Sequence, residues 1–177
     1  MLPNVATPAL LLFQTPEALA KLADPWAKFY SHSTTTETIV TFLHIAPIIV
    51  GGGIAIALDR ASLRLRHDDP GARERHLAEL GSVHPIVITA LVISLVSGIA
   101  MLAADLDTFL GSWVFWVKMA LIVVLLGNGA RMTRLEQALA APGGGTSDQW
   151  GRLRGNAITS LTLWLVITLA GVILTNV

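Results

Sequence analysis

The sequence predicts an all-α fold: an integral membrane bundle of four helices, amino terminus outside, preceded by a short interfacial helix. Three observations predict it. Of the 177 residues, 53% are hydrophobic and only 14% are charged, against roughly 25% charged in soluble domains. Mean hydropathy is +0.65. Four separate stretches also reach the length of about 20 apolar residues that a bilayer-spanning helix needs.

Residues 1–37 are interpreted as a segment on the outer membrane surface, ahead of a four-helix domain over residues 38–177. The segment has no basic start and no long apolar core, so we do not expect a signal peptide. A Thr-Pro-Glu run predicts a short interfacial helix over Pro16–Ala23. Asp24-Pro25 should break that helix, and a second turn should carry Trp26.

Four apolar stretches follow, each bounded by charges or by glycine and proline. Three threonines and Glu37 offer a capped, acidic first turn to the first stretch. Pro85 begins the second, aromatic residues open the third, and a Gly-rich tip precedes the fourth. The predicted spans are Ile39–Leu58, Pro85–Ala104, Trp113–Ala130 and Ala157–Val177.

Arginine is concentrated in two of the three links between these stretches. The first link, Asp59–Ser82, holds five arginines and the third holds four, whereas Asp105–Ser112 has two aspartates and no basic residue. The positive-inside rule therefore predicts that links one and three are cytoplasmic. Trp113 and its aromatic neighbours should form a belt at the outer interface, with Trp150 near the inner one. We expect a multi-pass protein of the bacterial inner (cytoplasmic) membrane.

Composition excludes several classes of function. The chain has no cysteine, which rules out disulfides, iron–sulfur clusters and covalently attached haem. Its net charge is zero, so no basic face is available for nucleic acid. Any haem or metal must therefore be held non-covalently by histidine, methionine, lysine or oxygen ligands, and the lipid bilayer is the one partner that composition predicts directly.

Two polar residues, His44 and Lys118, fall inside apolar stretches, where ionisable side chains are rare and usually functional. Each lies about five residues past the outer start of its helix, roughly 8 Å deep. His84 stands at the other boundary, about 20 Å away across the ~30 Å core, and cannot share an iron with His44. His44 predicts either an axial metal ligand or a satisfied hydrogen bond. Lys118 predicts a second ligand, a charge partner, or a side chain that snorkels to the headgroups.

Small residues lie near the level of His44. Gly51 and Gly52 follow it by seven and eight positions and share its helix face, and Gly98 falls near the same depth. Such residues either leave room for a porphyrin or let helices pack closely without a cofactor. Met101 lies near this level and is a reserve sixth ligand.

The remaining polar residues are interpreted structurally. His84 is expected to begin a helix at the headgroups, and His67 and His76 to be solvated loop residues. Asn128, between two glycines, is expected to join two helices by a hydrogen bond.

Residues 40–140 resemble a known group of four-helix membrane proteins. Phe42-Leu43-His44 followed by Gly51-Gly52, with Arg60 or Arg64 at the helix end, is similar to their first helix. Leu80–Thr89 resembles the start of their second helix, and Gly111–Lys118 the entry of their third. The group comprises HemJ-type protoporphyrinogen oxidases and the membrane domain of CopD-type copper-resistance proteins. The resemblance implies haem b held through His44, with Lys118 functionally important.

These patterns together favour a b-haem-binding membrane protein that serves electron transfer or redox chemistry on a lipophilic substrate such as a quinone or porphyrin. His44 would be the axial ligand, and Lys118 the second ligand or a charge partner. Whether the chain is itself an oxidoreductase is left open. One alternative is a non-catalytic integral subunit of a respiratory or photosynthetic complex, in contact with other membrane proteins or with a second copy. Another is a copper or small-solute permease.

Overall fold

The computed structural model describes residues 17–65, 69–141 and 145–176, and it confirms the all-α membrane fold. This part of the chain contains no strand. Four of its helices, of 28 to 35 residues, are long and apolar enough to cross a membrane, which confirms a multi-pass membrane protein. The expected helix start at Pro16 and the expected loop residue His67 lie outside the described residues. The helices are α1 (Glu17–Ser31), α2 (Thr34–Arg64), α3 (Pro70–Ala104), α4 (Leu106–Gly111), α5 (Trp113–Ala140) and α6 (Ser147–Leu174).

The four long helices are arranged as two hairpins. Helix α2 packs along α3, α5 packs along α6, and contact between α2 and α6 joins the pairs. One end of the bundle carries the links between α2 and α3 and between α5 and α6, and is called the arginine-rich end. The opposite end carries α1 and α4, and is called the α1 end.

At the arginine-rich end the helices extend further than the apolar stretches indicate. Helix α3 begins at Pro70 and not at Pro85. The Asp69 side chain caps it by accepting a hydrogen bond from the backbone N–H of Ala72, and proline suits the first turn. At 1.5 Å per residue its 35 residues give about 52 Å, well beyond a ~30 Å hydrocarbon core.

The extended ends have a tightly packed core of their own. Its most buried side chains are 1–2% exposed: Leu80, Leu139, Trp150 and Leu153. Trp150, predicted to lie near the inner interface, is thus packed in this core and not exposed at the surface of the bundle. Its ring is covered by the Arg73 guanidinium, whose central carbon lies 5.1 Å from the ring centroid, in a cation–π contact. Trp113, by contrast, is 70% exposed, as a belt residue should be.

Between the two ends the helices bury few side chains against one another, and most of their surface is exposed to lipid. Leu125, Leu163, Trp164 and Ile167 form a small core there, while Ile49 on the outside is 68% exposed. Lipid tails are as apolar as these side chains, so close contact between backbones has to hold such helices together. The glycines of α2 provide that contact, as described below.

Helix α1 is a single helix that continues through Pro25, so the predicted break after Ala23 is wrong. A proline inside a helix removes one backbone donor, but two contacts compensate. Lys28 pairs with Asp24 at 2.7 Å across one turn, and Trp26 Nε1 donates to the Ala100 carbonyl of α3 at 2.7 Å. The helix has no buried residue, which suits the predicted position at an interface.

Candidate functional site

His44 is held by the polar face of α3. Its Nδ1 lies 2.8 Å from the Ser94 carbonyl oxygen, and the Ser94 hydroxyl donates to the His44 carbonyl at 3.2 Å. Ser97 Oγ is 3.5 Å from the same ring nitrogen. A carbonyl can only accept, so Nδ1 carries the hydrogen, and the neutral ring has its lone pair on Nε2.

The other ring nitrogen, Nε2 of His44, has no hydrogen-bond partner in residues 17–65, 69–141 and 145–176. It is also not among the fully enclosed unpaired atoms. The site is therefore a fixed imidazole with one free nitrogen. A metal-binding histidine is usually oriented in this way, by a hydrogen bond from the ring nitrogen that does not bind the metal.

Gly98 is brought against His44, as the depth estimate predicts. A Cβ at position 98 would lie 3.0 Å from His44 Cε1 and 3.2 Å from Nδ1. The missing side chain is thus what allows the ring to lie on α3. Ser94, which binds the ring, is ten residues along α3 from His84, or about 15 Å along the helix axis. His44 and His84 accordingly occupy different levels of the bundle.

Lys118 lies on α5 beside α6, and its side chain is half-buried. A Cβ at Gly171 would lie 3.6 Å from its Nζ, so this glycine makes room for the amine. The Lys118 charge is close enough to act on His44 electrostatically. No hydrogen-bond acceptor or carboxylate is recorded for Nζ within the described ranges. The Lys118 amine and the Nε2 lone pair of His44 thus lie on opposite hairpins, and neither has a recorded hydrogen-bond partner in the described residues.

Gly51 and Gly52 are in contact with neighbouring helices. A Cβ at Gly51 would lie 2.6 Å from the Ala90 methyl group of α3, and one at Gly52 would lie 3.0 Å from the Trp164 ring of α6. This is the close packing that the sequence left as an alternative to porphyrin space. Room for a group on His44 therefore has to come from the Nε2 side. Met101 is partly buried, one turn further along α3.

A second polar cluster, which the sequence interpretation missed, lies at the arginine-rich end. His84 Nε2 is 2.9 Å from the Thr133 hydroxyl of α5, and its Nδ1 is 3.7 Å from Glu136 Oε2. Asp59 of α2 is 2% exposed and Glu136 is 8% exposed. His84 is therefore not a helix-start residue, since it lies well inside α3 and joins two helices.

Two further polar predictions have opposite outcomes. His76, expected in a solvated loop, is a buried residue of α3, and its Nε2 lies 2.8 Å from the Ser62 hydroxyl. That prediction is wrong because α3 starts before it and packs against α2. Asn128 donates from Nδ2 to the Asn156 carbonyl of α6 at 3.0 Å, which confirms the predicted interhelical bond.

One signal in the sequence could have revealed the second cluster. Thr133 and Glu136 are three residues apart, and therefore share a helix face. Asp59 follows its apolar stretch directly. A hydropathy average places such polar residues in solvent. Their spacing, however, continues the helical period beyond the apolar span.

Within the described ranges no three histidine, cysteine or carboxylate side chains converge as a ready-made metal site. Comparisons with protein-family models, curated proteins and solved structures find no match to this chain. The two polar sites, around His44 and around His84, are therefore the features of the chain that bear on its function.

Proposed function

We propose that this chain is a membrane protein that binds haem b non-covalently through His44 near its α1 end, and that it serves electron transfer or a redox step on a lipophilic substrate such as a quinone. One observation carries the proposal. His44 donates from Nδ1 to the Ser94 carbonyl and leaves Nε2 without a partner in the described residues. An imidazole held in this way is suited to bind iron through Nε2.

The other residues of the site supply support and charge. Gly98 and Ser94 hold the His44 ring on α3, so the ring loses little freedom on binding a group. The Lys118 amine, with no recorded acceptor, would pair with a propionate as an ammonium group or ligate iron as a neutral amine. Bound haem would supply one-electron chemistry, while the protein orients it and balances its charge.

The proposal is tested by the colour of the purified protein. We expect protein made in haem-replete cells to show a Soret band and about one acid-extractable b-type haem per chain. His44→Ala should abolish the band, whereas the control His84→Ala should leave most of it. Equal loss in both variants would refute His44 as the specific ligand.

Lys118 is tested by a substitution that separates ligation from charge. Arginine keeps the positive charge but has no lone pair to offer. Lys118→Arg should therefore alter the haem spectrum if the amine is a ligand, and leave spectrum and redox potential unchanged if it pairs with a propionate or with headgroups. Lys118→Ala, assayed for membrane insertion and activity, then distinguishes a charge partner from an anchor.

A folded, colourless wild-type protein would overturn the haem proposal. The residues around His44 would then serve only to pack α2 on α3, and the non-catalytic subunit becomes the function to test. Its assay is co-purification with other membrane proteins in mild detergent. Binding of copper by the colourless protein, lost in His44→Ala, would instead favour the permease.

A further inference from the structure

Two carboxyl side chains, Asp59 on α2 and Glu136 on α5, are buried together at the arginine-rich end. They are 2% and 8% exposed, and each repels the other's charge. Asp59 Oδ2 and Glu136 Oε1 are fully enclosed, and neither has a hydrogen-bond partner in the described part of the chain. An ionised carboxylate in such a position is costly unless a cation or several donors pair with it.

The neighbouring helices provide few groups that could stabilise two negative charges. From α6, Ser160 donates a hydrogen bond to Asp59. Of the arginines at this end, Arg154 donates from Nη2 to the Leu65 carbonyl at 2.9 Å and Arg73 lies over a tryptophan ring. The Nε of each is enclosed without a hydrogen-bond partner in the described residues, and no ion pair from either arginine to the two carboxyls is recorded there. His76 is bound to a serine hydroxyl. With a serine hydroxyl beside Asp59 and an imidazole 3.7 Å from Glu136, the pair is under-supplied with donors, which favours a proton on one of the two carboxyls.

His84 of α3 connects this pair with the surface of the bundle. Its side chain is 32% exposed. The Thr133 hydroxyl next to its Nε2 donates to the Gly129 carbonyl at 3.1 Å, so it can accept a hydrogen from Nε2. Its Nδ1 faces the Leu80 carbonyl at 3.2 Å and Glu136 at 3.7 Å. Both nitrogens thus face acceptors, and the site accommodates a protonated imidazole.

We propose that Asp59 and Glu136 form a proton-binding site that exchanges its proton with the solution at the arginine-rich end through His84. The proton moves between an imidazolium beside a carboxylate and a neutral imidazole beside a carboxylic acid, so charge is conserved at each transfer. Asp59 is the most buried of the three side chains and is therefore the innermost group on this proton path. The site is independent of any group bound at His44.

Infrared spectroscopy of the protein in lipid membranes tests for the bound proton. A protonated carboxyl gives a C=O band that carboxylates lack, and we expect this band at neutral pH. Asp59→Asn and Glu136→Gln should each shift it, because the remaining carboxyl loses its like-charged neighbour but stays buried, and the double variant should remove it. The exposed Glu74→Gln is the matched control and should retain the band.

Three outcomes would overturn the proposal. The band could be absent from the wild-type protein, or it could survive in the double variant. It could also disappear on replacing choline with sodium in the buffer, which would assign the site to a metal cation. Should Asp59→Asn fail to fold, Glu136→Gln alone carries the test.

The role of His84 is tested by the rate at which the band shifts after transfer to heavy water. His84→Phe keeps a ring at this position and removes both ring nitrogens. We expect slower exchange in this variant with the band itself retained. An unchanged rate would exclude exchange through His84.

Discussion

Gly51→Ala is the sharpest test of how the two hairpin helices α2 and α3 are held together. A methyl group at this position would lie 2.6 Å from the Ala90 methyl and 3.7 Å from the Val87 Cα. Carbon atoms in contact are about 3.5–4.0 Å apart, so α2 and α3 must separate by about 1 Å. Neither group is a flexible side-chain end that could turn aside.

The change that Gly51→Ala causes in the free energy of unfolding is the sum of two opposing effects. Overpacking typically costs about 1–3 kcal/mol, and a 2.6 Å contact between two methyl groups belongs in the upper part of that range, about 2–3 kcal/mol. Replacing glycine by alanine in a helix returns about 1 kcal/mol. We therefore expect a net loss of about 1–2 kcal/mol, which is roughly a five- to thirtyfold change in the unfolding equilibrium. Equilibrium unfolding in mixed detergent micelles measures it.

Gly53→Ala is the matched control, since nothing lies within 4 Å of a Cβ there, and this variant should be neutral or slightly more stable. Ala90→Gly in the Gly51→Ala background removes the clashing methyl group and should recover most of the loss. If Gly51→Ala is as stable as Gly53→Ala, or if Ala90→Gly fails to rescue it, the inferred helix contact does not exist in the membrane.

Three further predictions concern other parts of the chain. Reporter fusions after Arg66 and after Asp107 should report opposite sides of the membrane, and the same side for both would refute the four-span topology. Leu153→Ala removes a side chain that is 1% exposed and should cost about 2–5 kcal/mol in the same unfolding assay; a loss below that of Gly51→Ala would contradict the packed core at the arginine-rich end. Trp26→Phe removes the hydrogen bond to the Ala100 carbonyl, worth about 1 kcal/mol, and should make α1 more sensitive to protease while leaving the bundle intact.

The four spans were predictable because each is a long apolar run, and hydropathy alone detects such runs. The ends of the helices at the arginine-rich end were not predictable, because the residues beyond the apolar runs are polar. Asp59, His76 and Glu136 look solvated when averaged with their neighbours. They are buried only by contact between helices that are distant in sequence, which no local average contains.

Prolines misled the reading in two places. The sequence indicates a helix break at Pro25 and a helix start at Pro85, yet both lie inside continuous helices. Each removes one backbone hydrogen bond, but tertiary contacts such as those of Trp26 and His84 hold the helix on both sides. For the site, depth counting correctly brought Gly98 to His44. It could not reveal that Gly51 and Gly52 face protein neighbours, because that depends on how the helices are rotated.

The unequal packing along the bundle has a consequence for how the protein responds to its membrane. The best-buried side chains belong to the helix extensions at the arginine-rich end. The two hairpins are packed firmly against each other there. A thinner or thicker bilayer forces spanning helices to change their tilt. Because the arginine-rich end is tightly packed, the change of tilt is concentrated at the α1 end, where His44 and Lys118 lie on separate hairpins. Bilayer thickness would then change the distance between these two side chains, so the geometry of the site would depend on the surrounding lipid.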